Sequence, residues 1–187
     1  MDNRLQENKD KLIRVAITGP ESTGKTMLTE ALAQHYDTVW VPEYARKYVA
    51  NLNRKYTLDD IISIAKGQII SEKKYESRAQ KFLFCDTELI VTKIWAEHSF
   101  KKCPDWIHEN INKQKYDLYL LCDIDTPWVL DPQREHPKLR QYFFDLFYNE
   151  LITRELNYKI VRGIEKERIQ NAIDLINSEF NLIRRKK

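Results

Sequence analysis

Eight residues, Gly19-Pro20-Glu21-Ser22-Thr23-Gly24-Lys25-Thr26, have the types and spacing to grip a phosphate chain. They fit G-x-x-x-x-G-K-[ST], the phosphate-binding loop of nucleotide-using enzymes. The glycines let the backbone curl so that its N–H groups converge on a phosphate, and a helix N-terminus adds partial positive charge. Lys25 supplies a point charge for the β- and γ-phosphates, and the Thr26 hydroxyl is a Mg²⁺ ligand. Gly19 to Thr26 together are therefore the expected segment for binding a nucleoside triphosphate.

The flanks supply the elements this loop needs. Leu12-Ile13-Arg14-Val15-Ala16-Ile17-Thr18 is apolar and β-branched, as in a buried strand. After the loop, Met27, Leu28, Ala31, Leu32 and His35 share one helical face. Further along, short apolar runs at 39–41, 81–85, 116–122 and 158–161 read as strands. Helices are predicted over 25–36, 44–52, 58–80, 88–99, 105–114, 139–156 and 165–180, with Thr57 and Asp60 forming a capping pair. Strands alternating with helices predict an α/β fold: a five-stranded, mainly parallel sheet with helices on both faces. Residues 1–11 read as a flexible lead-in, 12–180 as one P-loop domain, and 181–187 as a basic tail. Between the fourth strand and the next helix, 123–140 is polar and carries three prolines in its first fifteen residues, as a lid does.

In such sheets ligands sit at the carboxyl ends of strands, which makes the polar residues closing each strand informative. The second strand closes on Glu43-Tyr44-Ala45-Arg46. A carboxylate at Glu43, across from the phosphate loop, can take the proton of a hydroxyl attacking the γ-phosphate; it equally suits the first turn of a helix. Arg46, a helical turn on, can hold a phosphate or support Glu43. The third strand closes on Asp86-Thr87, an acid after four apolar residues, the form of a Walker-B aspartate serving Mg²⁺; Asp is also a common N-cap. The lid carries Asp125, Trp128, Arg134 and, at its end, Arg140. Arginines there can neutralise charge on a transferred phosphoryl group or simply be solvated; Trp128 can pack on a ring or anchor the lid.

Taken together, the phosphate loop, Glu-Tyr-Ala-Arg, Asp-Thr and Asp-Thr-Pro-Trp-Val-Leu-Asp-Pro-Gln-Arg, in that order, resemble the NadR-type ribosylnicotinamide kinase domain. The similarity covers about residues 12 to 178. It implies a fold like the nucleoside monophosphate kinases and transfer of the ATP γ-phosphate to the 5′-hydroxyl of nicotinamide riboside. On that resemblance Gly19 to Thr26 bind ATP, Lys25 clamps the phosphates, and Thr26 and Asp86 serve Mg²⁺. Glu43 acts as base and, with Arg46, faces the riboside. Asp125, Trp128 and Arg134 match the lid motif, and Tyr44 stacks on the nicotinamide ring. No H-x-G-H signature of adenylyl transfer occurs among His35, His98, His108 and His136, so the chain reads as the kinase unit alone. A kinase for another nucleoside or small alcohol fits the same motifs. An ATP-dependent switch fits less well, since no Asn-Lys-x-Asp guanine-reading segment is present.

Composition narrows the classes further. Lys and Arg number 31 against 28 Asp and Glu, a net +3 that does not make a broad nucleic-acid-binding face. Cys85, Cys103 and Cys122 form no C-x-x-C pair, and an odd count without a framework suits a reducing cytoplasm. The first ten residues hold no apolar signal core, and no run is long enough for a membrane span. The expected partner is a small-molecule substrate, with neither nucleic acid nor membrane; the sequence does not give the oligomeric state.

Overall fold

The computed structural model describes residues 11–182. Residues 1–10 of the expected lead-in and 183–187 of the expected tail lie outside the described residues. In chain order the elements are β1 (Ile13–Thr18), α1 (Lys25–His35), β2 (Trp40–Val41), α2 (Tyr44–Ala50), α3 (Leu58–Glu76), β3 (Phe82–Asp86), α4 (Leu89–Phe100), α5 (Asp105–Lys113), β4 (Leu118–Cys122), α6 (Arg140–Thr153), β5 (Tyr158–Val161) and α7 (Glu165–Glu179). The five strands form one sheet in the order β2-β3-β1-β4-β5, and every pairing is parallel. This is the parallel α/β sheet that the alternation of strands and helices predicts, in the P-loop kinase form that the resemblance implies.

β1 occupies the middle because it is apolar on both faces. Val15 and Ile17 point into a core with Phe82, Phe84, Leu118 and Leu120, covered by Leu28 and Leu32 of α1 and Ala172 and Ile176 of α7. Ala16 points the other way, with Tyr119 and Leu121, against α3, α4, α5 and α6. Val15, Ala16 and Ile17 are all fully buried.

Register aligns the carboxyl ends of the strands. Ile17 pairs with Asp86 on one side and with Leu120 on the other, and Val41 pairs with Cys85. Gly19, Glu43, Asp86 and Asp123 therefore leave the sheet along one edge, although they come from four separate stretches of chain.

Element types match the sequence reading, and the differences are local. α3 ends at Glu76 rather than running to 80. There the Thr38 hydroxyl accepts the Gln80 N–H at 3.0 Å and donates to the Phe82 carbonyl at 2.6 Å, turning the chain into β3. The start of α3 is held as its capping pair predicts, with the Thr57 N–H donating to Asp60 at 2.7 Å. Met27 is 65% exposed, so the buried face of α1 is Leu28, Thr29, Leu32 and Ala33. The helix packs between β3 and α7, which turns Met27 outward. Ile152 of α6 is 45% exposed, while Phe143, Phe147 and Leu151 of the same helix are buried. No helix among the described residues is long and apolar enough to cross a membrane.

Candidate active site

The loop between β1 and α1 is shaped by backbone that only certain residues adopt. Gly19 has φ 130°, and a Cβ there would meet the Cys122 carbonyl oxygen at 3.0 Å. Gly24, in the left-handed region at φ 76°, caps the N-terminus of α1. Lys25 folds back over the loop, its ammonium donating to the Gly19 carbonyl at 2.9 Å and the Pro20 carbonyl at 2.7 Å.

Thr26 and Asp86 meet at the end of the sheet, the hydroxyl donating to Asp86 Oδ2 at 2.6 Å. Oδ1 of the same carboxylate is buried and has no hydrogen-bond partner. Burial, and then the charge of the Glu43 carboxylate, pushes Asp86 up to about 6. A hard divalent cation beside that unpartnered oxygen would relieve both effects, and the oxygen donors Thr26 and Asp86 suit Mg²⁺. Among the described residues no cluster of three His, Cys, Asp or Glu side chains could hold a metal alone. Thr87 follows at φ 68°, a strained setting for a β-branched residue, and its N–H closes on the Ile17 carbonyl at 3.0 Å.

Glu88, not singled out in the sequence, sits behind the loop. It accepts from the Thr18 hydroxyl at 2.9 Å and caps α4 through the Ile90 N–H, and burial pushes it up to about 7. Its signal was weak, because Glu is not among the residues that commonly cap a helix N-terminus.

A cavity of about 520 Å³ opens from the phosphate loop. Gly19, Pro20 and Lys25 line one end, and Glu43 and Arg46 of α2 line a side. Its other walls are mixed: Tyr56, with Ile94 and Trp95 of α4 and Phe143 and Phe147 of α6, presents rings and apolar groups, while Arg54, Lys55, His98, Gln133 and Glu135 add charged and polar ones. The Trp95 indole N–H donates to the Tyr56 hydroxyl at 2.8 Å, with the rings edge-to-face at 4.6 Å. His98 packs against His136 of the lid at 4.7 Å between ring centroids, and burial, with His136 and Lys101 nearby, holds its pKa below the usual imidazole value. Trp95, Tyr56, His98 and His136 were not legible as site residues. α4 is buried on most of its circumference, so its cavity-facing positions look like one more core helix.

The segment between β4 and α6 is fastened down on the phosphate loop. Ser22 accepts the Val129 N–H through its hydroxyl and the Thr126 hydroxyl through its carbonyl, both at 2.8 Å. Glu21 Oε2 accepts the N–H groups of Glu135 and His136 at 3.1 and 3.2 Å. From the opposite wall, Arg46 pairs with Asp131 at 2.9 Å, while its Nε lies 3.8 Å from Glu43.

The residues expected from the sequence thus divide into groups. Lys25, Thr26, Glu43, Arg46 and Asp86 are brought to one end of the cavity or just behind it. Arg134 and Arg140 are close by but turned to the backbone: Arg134 donates to the Val129 carbonyl and Arg140 to the Thr126 carbonyl, both at 2.7 Å, and each also reaches Ser22. Three others are placed away from the cavity lining. The Tyr44 ring lies on Gly67 of α3, with its N–H bonded to Gln68 at 3.0 Å. Only glycine leaves room there, because a Cβ at position 67 would fall 2.1 Å from that ring. Asp125 accepts from the Gly163 N–H at 2.6 Å and from the buried Arg168 guanidinium. Trp128 is half-buried in the lid, outside the lining.

Comparison with known proteins bears on the family and the fold. The family model described as "AAA domain" matches residues 14–168. The trifunctional NAD biosynthesis/regulator protein NadR of Escherichia coli is 32% identical over 174 residues, 87% of this chain. The chain spans 41% of that relative, less than half its length. Crystal structures of NadR protein superpose with TM-scores of 0.80, in complex with NR, and 0.75, in complex with NAD and AMP-PNP. Sequence identity there is 24% and 23%, over 94% of this chain and 54% and 51% of those chains. Thymidylate kinase from Ehrlichia chaffeensis shares the fold at TM-score 0.64 and 12% identity, over 89% of this chain and 98% of its own. With the matched model spanning most of its length, the chain belongs to the AAA-domain family, in which its motifs and fold make it a NadR-like kinase domain.

Proposed function

We propose that this protein phosphorylates the 5′-hydroxyl of nicotinamide riboside with ATP, giving nicotinamide mononucleotide and ADP. The observation that carries this reading is the continuity of one cavity from Lys25 and Glu43 to the aromatic recess around Trp95 and Tyr56. A phosphate-binding end and an aromatic end, joined in one space, suit a reaction between a triphosphate and a ring-bearing alcohol. The relative named for NAD biosynthesis and the NadR complexes with NR and AMP-PNP support the choice of substrates. The chain spans under half of that trifunctional relative, so one phosphoryl transfer is all that the reading claims.

In this mechanism Glu43 accepts the proton of the 5′-hydroxyl as the oxygen forms its bond to the γ-phosphorus. The bond from that phosphorus to the β,γ-bridging oxygen breaks, and its electron pair leaves with ADP. Lys25 and the amides of the loop hold the β- and γ-phosphates in line with the hydroxyl and offset the charge spread over the transferred group. Mg²⁺, held by Thr26 and Asp86, would neutralise phosphate charge when bound. Arg134 and Arg140 reach the same group once released from the lid backbone. Trp95 and Tyr56 receive the ring, whose positive charge favours aromatic faces. The three cysteines are free, which suits the reducing cytoplasm where such a substrate would be used.

ATP consumption by the purified protein with Mg²⁺, measured across nicotinamide riboside, the common nucleosides and no acceptor, tests the reading. Riboside-dependent turnover abolished by Lys25→Ala supports it. Turnover only with another nucleoside would keep the mechanism and replace the acceptor, and ATP binding with no acceptor-dependent turnover would favour a nucleotide switch.

A further inference from the structure

A phosphate loop binds through its backbone and its lysine, which leaves the carboxylate of Glu21 without a task in the chemistry. Its place shows one. Oε2 of Glu21 accepts two consecutive backbone N–H groups, those of Glu135 and His136, at 3.1 and 3.2 Å. His136 is the lid residue whose ring packs on His98 at 4.7 Å and on Phe143 at 5.3 Å, closing one wall of the cavity. We infer that Glu21 is a positioning residue: it latches the lid to the phosphate loop and sets the His136 wall of the acceptor cavity, so that the loop that receives the triphosphate also governs enclosure of the acceptor.

The argument rests on which fasteners do what. Ser22 also binds the lid, but at Thr126 and Val129, upstream of the segment that lines the cavity. Arg46 holds Asp131 from the α2 side at 2.9 Å. Between these points, Pro132 and Gln133 line the cavity, and beyond them only Glu21, among the described residues, bonds the backbone of 135 and 136 from the loop. A carboxylate accepting two amides makes charge-assisted bonds, stronger than a neutral acceptor would make. Because the acceptor oxygen stands inside the phosphate loop, a shift of that loop is passed directly to the His136 backbone. The latch deepens the kinase reading and rests on it for its consequence in catalysis, though not for its existence.

The test uses Glu21→Ala and Glu21→Gln in the full chain. Amide hydrogen exchange without substrates is read at residues 135 and 136, with α1 as the folding control. The latch predicts exchange at both amides at least about 10-fold faster in Glu21→Ala, with α1 unchanged; Glu21→Gln, which keeps only a neutral acceptor oxygen, falls between wild type and Glu21→Ala. In turnover, Glu21→Ala should raise the KM for the nucleoside by about 10-fold while the KM for ATP moves less than about two-fold, and Glu21→Gln should recover part of the loss. Unchanged exchange at 135 and 136 in Glu21→Ala overturns the latch. So does an ATP KM that rises as much as the nucleoside KM, since that marks a distorted phosphate loop. If the wild-type protein turns over no nucleoside, the kinase reading fails, and the exchange result still decides the latch.

Discussion

The hydroxyl of Thr26 and the carboxylate of Asp86, 60 residues apart in the chain, meet at 2.6 Å where α1 begins and β3 ends. Parallel pairing of β1 with β3 makes the meeting inevitable, because Ile17 and Asp86 are register partners and Gly19 leaves the sheet two residues later. One carboxylate oxygen stays buried and unpartnered beside this contact. Asp86→Asn keeps the shape and removes the charge, so the fold should survive while turnover falls on the order of 100-fold. Titrating Mg²⁺ in the kinase assay checks this: the variant should need a higher concentration to reach half of its maximal rate.

Glu43 lines the cavity at the phosphate end, with Arg46 3.8 Å away. Glu43→Gln should lower kcat by about 10²- to 10⁴-fold, the range for loss of a general base, with ATP affinity nearly intact. Isothermal titration with ATP and steady-state kinetics separate the two. An unchanged kcat would remove Glu43 from the chemistry and make Asp86 the candidate base.

The aromatic end of the cavity makes a separate prediction. Trp95→Ala should raise the KM for the nucleoside by roughly 2- to 13-fold beyond what is lost in packing, since an aromatic pair contributes about 0.5–1.5 kcal/mol. Tyr56→Phe, which removes only the hydroxyl that receives the Trp95 N–H, should have a smaller effect. Steady-state kinetics at saturating ATP distinguish these.

How far the sequence carries the account follows from range. The phosphate loop, the capping pair at Thr57 and Asp60, and the acids closing β2 and β3 are local signals, each readable within a few residues of its own position. Side-chain direction at a distance is not. Tyr44 looked like a ring for the acceptor, but it lies on Gly67, whose missing Cβ is evident only once α2 and α3 are packed together. Asp125 belongs to the lid motif by spacing, and the buried Arg168, 43 residues later, is what draws it towards α7. Trp95 and His98 lie on a helix whose buried face includes Leu89, Ile90, Thr92, Lys93, Ile94 and Ala96, so periodicity gave them no contrast.

Arg168 supports the site without touching the cavity. It is 3% exposed and donates to the Thr23 carbonyl at 3.0 Å, the Gly163 carbonyl at 2.8 Å and the Asp123 carbonyl at 3.1 Å, as well as to Asp125. One guanidinium thus joins the phosphate loop, the end of β4 and the turn after β5. Arg168→Met leaves those carbonyl acceptors without their donor and should destabilise the fold by about 1–3 kcal/mol, the range for a buried acceptor left unpaired. Chemical denaturation at neutral pH measures it.

His98 gives a dependence on pH. It faces Lys101 just past the end of its own helix, His136 and Glu135 from the lid, and Tyr142 and Phe143 from α6, and burial and the neighbours His136 and Lys101 outweigh Glu135 in lowering its pKa from 6.5. The unfolded chain therefore binds the proton more readily than the folded one. This contribution is neutral well above pH 6.5 and destabilises the fold as pH falls below it, so stability rises with pH through that window. His98→Gln should flatten that part of the curve of Tm against pH, and an equally steep curve in the variant would remove His98 as its source.

The most direct test of the central claim is to follow ATP and nicotinamide riboside with the protein and Mg²⁺ by ³¹P NMR. The account predicts a phosphomonoester on the 5′-oxygen appearing in equal amount with ADP, and no such product when the riboside is replaced by its 5′-deoxy analogue. ADP formed with inorganic phosphate alone, or at the same rate with and without the riboside, would contradict it.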